Sequence, residues 1–159
     1  MKEILKIKIY GEGGEGIKRA SKLLGKILLK SGYKFVSIKS TYDTVVRGGS
    51  SNADIVASNR RNPPPVIESA DLAVITYPTE EIVESRKYIF EESIYKRVEK
   101  PDEYKEAKVY SLSSDPKYLT GSNVIGVVMG ILEIDKRVLD EMRIDEASLS
   151  KILEGLSHV

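Results

Sequence analysis

The fold is decided by residues 4–32. They open Ile4-Leu5-Lys6-Ile7-Lys8-Ile9-Tyr10, turn through Gly11-Glu12-Gly13-Gly14-Glu15-Gly16, and run on to Ser31-Gly32. In the first part Leu5, Ile7 and Ile9 fall on one side and lysines on the other, the period-two pattern of a strand. After the glycines, Ile17, Ala20, Leu24, Ile27 and Leu28 recur at helical spacing, and Ser31-Gly32 supplies a stop. A strand, a glycine turn and an amphipathic helix make the opening unit of an α/β domain.

Working outward, Lys34–Ser40 and Ala53–Ala57 read as two short strands joined through Arg47-Gly48-Gly49. Pro63-Pro64-Pro65 imposes an extended connection. Ala70–Thr76 is apolar enough for a strand covered on both faces, and Thr79–Arg86 reads as a short helix. Residues 87–108 are charged and carry no clean period, so their structure is left open. Val109–Leu112 suggests one more strand, and Asn123–Leu132, Asp135–Met142 and Asp145–Leu156 suggest a helical C-terminal third, with Asn123 as a helix cap. The expectation is a single domain over residues 1–159: a Rossmann-like three-layer α/β sandwich with a largely parallel sheet.

Composition narrows the chemistry. The 159 residues include no Cys and one His, His158. A chain without Cys holds no thiolate zinc site, cysteine nucleophile or iron–sulfur cluster, and without a His in its body it has no Ser-His-Asp triad. Catalytic residues and metal ligands are therefore expected to be absent. The net charge is +1, unevenly spread: residues 1–49 hold 11 Lys and Arg against 4 Asp and Glu. Lys18, Lys22, Lys26 and Lys30 form a stripe on the first helix. No membrane span or basic leader stands out, so the chain reads as cytoplasmic, without nucleic-acid or membrane partners.

Gly11 to Gly16 satisfies G-x-G-x-x-G, a turn whose amides and helix N-terminus suit an anion. Glu12 and Glu15, however, put carboxylates where a pyrophosphate would sit. The ribose-binding acid expected after the second strand is replaced by Lys39, Ser40 and Thr41, with Asp43 arriving late. In the second segment, Thr41-Tyr42-Asp43-Thr44-Val45-Val46-Arg47-Gly48-Gly49, an Arg fork stands beside exposed glycine amides and suits carboxylate or phosphate. In the third, Asn123-Val124-Ile125-Gly126-Val127-Val128-Met129-Gly130, the glycines let another backbone come close.

In order and spacing these segments resemble the gamma subunit, or gamma domain, of 2-oxoacid:ferredoxin oxidoreductases, over roughly residues 3 to 142. Gly11–Gly16 is similar to the family's G-x-G-G-Q-G turn, with Glu15 in place of Gln. Ser40–Gly49 is similar to P-S-Y-G-x-E-x-R-G-G, with Asp43 for Gly and Val45 for Glu. Ala70-Asp71-Leu72-Ala73-Val74-Ile75 resembles its aspartate-led strand, and Asn123 with Gly126 its late helix.

The resemblance implies a subunit of an enzyme that oxidatively decarboxylates a 2-oxoacid to an acyl-coenzyme A and reduces ferredoxin. This chain would hold no cofactor and supply subunit and coenzyme A contacts. Thiamine pyrophosphate with magnesium and the 4Fe-4S clusters would sit on alpha, beta and ferredoxin-like delta partners, with a second gamma copy also admitted. Contacts to coenzyme A or a partner are expected at Gly11, Gly13, Gly14, Glu15, Gly16, Tyr42, Arg47, Gly48, Gly49 and Asn123. A stand-alone nucleotide- or small-anion-binding domain using the Gly11–Gly16 loop is the competing expectation.

Overall fold

The computed structural model describes residues 2–12, 15–42, 50–61, 67–79, 81–104, 106–112 and 117–159. Strand β1 (Ile4–Glu12) leads into helix α1 (Glu15–Lys30), then β2 (Phe35–Tyr42), β3 (Ser50–Ser58) and β4 (Ala70–Ile75). There follow β5 (Ser85–Glu91), the single turn α2 (Glu92–Tyr95), β6 (Ala107–Tyr110), and helices α3 (Lys117–Ile131) and α4 (Glu146–Ser157). The sheet order is β2-β3-β1-β4-β5-β6. Pairings β1–β4, β4–β5 and β5–β6 are parallel, whereas β3 runs antiparallel to both its neighbours, β1 and β2. The sheet is mixed and mostly parallel, and β2 and β1 point the same way with β3 between them.

Alternation in β1 sends Leu5, Ile7 and Ile9 into the main core, where they meet Leu24, Ile27 and Leu28 of α1, Ile55 of β3, Leu72 and Val74 of β4, and Ile125 and Val128 of α3. Helix α3 lies between α1 and α4. From Gly121 to Met129 every residue is buried, which is why its sequence is apolar all round rather than on one stripe. At its crossing with α4, a Cβ on Gly126 would stand 2.0 Å from the Ile152 carbonyl oxygen, and one on Gly155 would stand 2.1 Å from the Asn123 carbonyl oxygen. The two backbones touch because neither glycine carries a side chain. Helix α1 ends as its Ser31-Gly32 signal predicts: Tyr33 N–H donates to the Leu28 carbonyl and Gly32 N–H to that of Leu29, each at 3.2 Å, with Gly32 at φ 123°.

The other face of the sheet is covered differently. Tyr10, Ala73, Ile75, Tyr88 and Phe90 are buried beneath Ile82, Val83, Ile94, Tyr95, Val98 and Tyr104, which lie on α2 and on irregular connections. Phe90 packs with ring centroids 5.2 Å from Tyr95 and 5.1 Å from Tyr104. The third layer is thus largely a strap of aromatic contacts.

Two local expectations are corrected. Residues 81–84 are irregular and 85–91 form β5, where a helix over Thr79–Arg86 was expected; pairing with β4 and burial of Tyr88, Ile89 and Phe90 override a weak local helical pattern. Asn123 does not cap α3, which begins six residues earlier at Lys117.

Candidate functional site

The carboxyl ends of β1 and β4 are neighbours, and the chain leaves them toward opposite sides of the sheet: α1 crosses to the β2–β3 half, while β4 continues to β5. Ligands of open α/β sheets bind at such a divergence. Thr76 ties the two strand ends together, its N–H and Oγ1–H donating to the Tyr10 carbonyl at 2.9 and 2.8 Å. Gly11 continues β1 at this edge. A Cβ there would lie 2.4 Å from the Ile17 side chain and 3.3 Å from Thr76 Oγ1, so the glycine lets the first turn of α1 close down on the strand end. Gly16 opens its carbonyl toward α3, where a Cβ on Gly121 would approach that oxygen and the Ala20 Cβ to 3.0 Å. Gly121, which was not singled out from the sequence, is the position that allows α3 to sit against the helix start. Its signal is a small residue in the short polar run at residues 120–123 that precedes the apolar part of the helix.

The register brings the second segment to the same edge. β2 ends at Tyr42 and β3 begins at Ser50; Tyr42 pairs with Ser51, Gly11 pairs with Ser51 from the other side, and Glu12 pairs with Ser50. The end of β2 at Tyr42 and the start of β3 at Ser50 therefore lie beside the end of β1. Gly13, Gly14, Arg47, Gly48 and Gly49 themselves lie outside the described residues. Of the other expected contacts, Gly11 lies in β1 at this edge, Glu15 and Gly16 open α1 and Tyr42 ends β2. Asn123 faces elsewhere: fully buried, it donates from Nδ2 to the Lys151 carbonyl of α4 at 3.1 Å.

Behind the edge, on the strap side of the sheet, lies a polar cluster. Lys8 and Asp54 are cross-strand partners with Nζ 3.2 Å from Oδ1, and Asp54 is buried. With Asp54 buried and Lys8 partly exposed, the pair is held by mutual neutralisation, and removing Lys8 leaves the Asp54 charge stranded. The Tyr10 hydroxyl accepts from Val83 N–H at 2.8 Å, and burial pushes its phenol above the ordinary value against the opposing effect of that amide. Beside these strand ends a cavity of about 630 Å³ is lined by Ile75, Thr79, Phe90 and Tyr104, with Arg97 and Lys100 at its walls. Its location in the stretch 87–108, where no period was visible, kept it out of the sequence reading.

Among the described residues no group of three or more His, Asp or Glu stands close enough to hold a metal ion. What the edge offers instead is backbone: a helix start and strand ends brought together by glycines, which suits an anion or a partner's surface more than bond-making chemistry.

A protein-family model described as pyruvate ferredoxin/flavodoxin oxidoreductase matches residues 6–113, two thirds of the chain and both glycine segments. The chain belongs to this family. The same fold is found in 2-oxoglutarate:ferredoxin oxidoreductase from Magnetococcus marinus, solved with 2-oxoglutarate, coenzyme A and succinyl-CoA bound. There the TM-score is 0.70 at 16% identity, covering 99% of this chain and 30% of that one. The chain thus spans about a third of that relative. Pyruvate oxidoreductase subunit PORC from Thermotoga maritima aligns with a TM-score of 0.68 at 15% identity over 99% of this chain and 95% of its own. The gamma subunit of a keto/oxoacid ferredoxin oxidoreductase from Geobacter sulfurreducens PCA aligns at 0.61 and 15% identity, covering 98% and 94% respectively. No curated protein sequence matches the chain. Among the described residues no helix is long and apolar enough to cross a membrane.

Proposed function

We propose that the chain is the gamma-type subunit of a 2-oxoacid:ferredoxin oxidoreductase, contributing to oxidative decarboxylation of a 2-oxoacid to its acyl-coenzyme A with reduction of ferredoxin. The observation that carries this reading is the family match across residues 6–113, a range of sequence that includes both glycine segments. Two single-subunit neighbours of nearly the same extent support it at the level of fold. The chain has no Cys, so thiolates for an iron–sulfur cluster must come from other subunits, and the same assembly would hold the thiamine pyrophosphate.

In this reading the helix start at Glu15–Gly16 and the segment between Tyr42 and Ser50 face an anionic group of coenzyme A or a partner subunit, with Arg47 as the charged donor. Amides of a helix N-terminus and a guanidinium both favour phosphate without themselves reacting, which assigns this chain to binding and orientation. Co-purification of the tagged chain from its native source should bring down thiamine-binding and Cys-rich subunits. In the reconstituted complex, Arg47→Ala should raise the KM for coenzyme A about tenfold, the loss of roughly one charge-assisted hydrogen bond. Unchanged assembly and unchanged coenzyme A affinity would refute the role of Arg47. Saturable stabilisation of the isolated chain by a nucleotide, with no subunit co-purifying, would favour a stand-alone binding domain.

A further inference from the structure

Helix α1 turns four lysines to solvent at four-residue intervals, Lys18, Lys22, Lys26 and Lys30, all exposed. Such like-charge pairs weaken a helix by a few tenths of a kcal/mol each. Among the described residues Lys18, Lys22 and Lys26 meet no acid, and Lys30 reaches only Glu141, at 3.9 Å. The stripe runs beside an apolar groove of about 510 Å³. Leu23, Leu29 and Met142 line it, Lys26, Lys30 and Arg143 supply positive charge, and Glu141 is its one acid. Leu29 is 46% exposed, unusual for a large apolar side chain in a helix whose other face is well buried.

We propose that this face of α1 is the docking surface for an acidic amphipathic helix of another subunit, an inference that rests on the reading of the chain as part of a complex. Charge selects the occupant. Lysines four residues apart rise about 6 Å per step along the axis, the spacing of carboxylates one turn apart on a helix laid alongside. An apolar side chain of that helix fills the groove over Leu23 and Leu29. A nucleic-acid backbone would match the lysines but leave the leucines uncovered, and no aromatic ring lines the groove to stack a base.

The test uses the complex assembled by co-expressing the tagged full-length chain with its co-purifying subunits. A carbodiimide, which joins a lysine amine directly to a carboxylate, should link Lys22 or Lys26 to an Asp or Glu of another subunit. The double variant Lys22→Glu/Lys26→Glu, and separately Leu29→Asp, should lower retention of that subunit about tenfold at physiological salt. The Tm of the isolated variant chain should stay at the wild-type value, and wild-type retention should fall as salt rises. A complex that forms without such cross-links and retains both variants fully would overturn the docking surface and leave the subunit reading standing. Cross-links only to a second copy of this chain, or retention abolished by nuclease, would overturn the assigned occupant. If no subunit co-purifies with the wild type, the subunit reading falls and the docking surface with it.

Discussion

Gly126 shows how one missing side chain sets the position of an element. A methyl group there would press on the Ile152 carbonyl oxygen, a backbone atom that moves only if α4 moves. Gly126→Ala should therefore destabilise the chain by about 3 kcal/mol, at the upper end for overpacking, as read from urea unfolding. Gly130→Ala serves as the comparison: the three atoms nearest its methyl belong to the side chain of Val159 rather than to backbone, and it should cost less stability than Gly126→Ala in the same measurement. A gain is available at Glu133. It holds a left-handed backbone, φ 55°, at the end of α3, where Glu133 N–H donates to the Gly130 carbonyl and Ile134 N–H to that of Met129. This is the termination that Gly32 makes without a Cβ at the end of α1. Glu133→Gly should raise the urea midpoint, corresponding to up to about 1 kcal/mol.

At the scale of elements, α4 starts on Asp145, whose carboxylate accepts from Ser148 N–H at 3.0 Å. That bond holds the Asp145 carboxyl below its usual value. Because the folded pKa lies below the unfolded one, the bond's contribution is complete above the ordinary Asp value near pH 4 and is lost as pH falls through the folded pKa. Asp145→Ala should destabilise by about 1 kcal/mol at pH 7, and the difference from wild type should shrink when thermal unfolding is followed to pH 2–3. The strap over the second face depends instead on Phe90. Phe90→Ala removes a fully buried ring packed on Tyr95 and Tyr104 and should destabilise by about 3–5 kcal/mol, with limited proteolysis appearing first between residues 96 and 104. Strands and helices with a complete period were legible before folding: β1, α1 and β4 fall within two residues of their expected ends. β5 was not, because Lys87, Tyr88, Ile89 and Phe90 satisfy neither a clean alternation nor a helical stripe. The burial of Tyr88 and Phe90 depends on residues 92–104 folding back over them, while Ile89 faces the main core.

For the whole molecule, the two glycine segments could be recognised as turns from their residues, and their order along the chain matched a family. That the strand ends flanking them share one edge could not be read locally, since it depends on β3 pairing antiparallel between β1 and β2, over separations of up to some 50 residues. Gly121 escaped notice for the same reason: only its contact with the Gly16 carbonyl gives it a role. Asn123 was read as a helix cap, but it lies inside α3 and its partner is a carbonyl 28 positions away. By itself the sequence determined the period of the early strands and helices, the stop at Gly32, the lack of Cys and of any His before His158, and the glycine turn that opens the fold. These are properties of neighbours along the chain or of composition. Tertiary structure decided the reversal of β3, the place of β5, the α3–α4 contact at Gly126 and Gly155, and the shared edge of the strand ends at Glu12, Tyr42 and Ser50. Each depends on which distant surfaces bury one another, and that free energy is shared between segments and written in neither one alone.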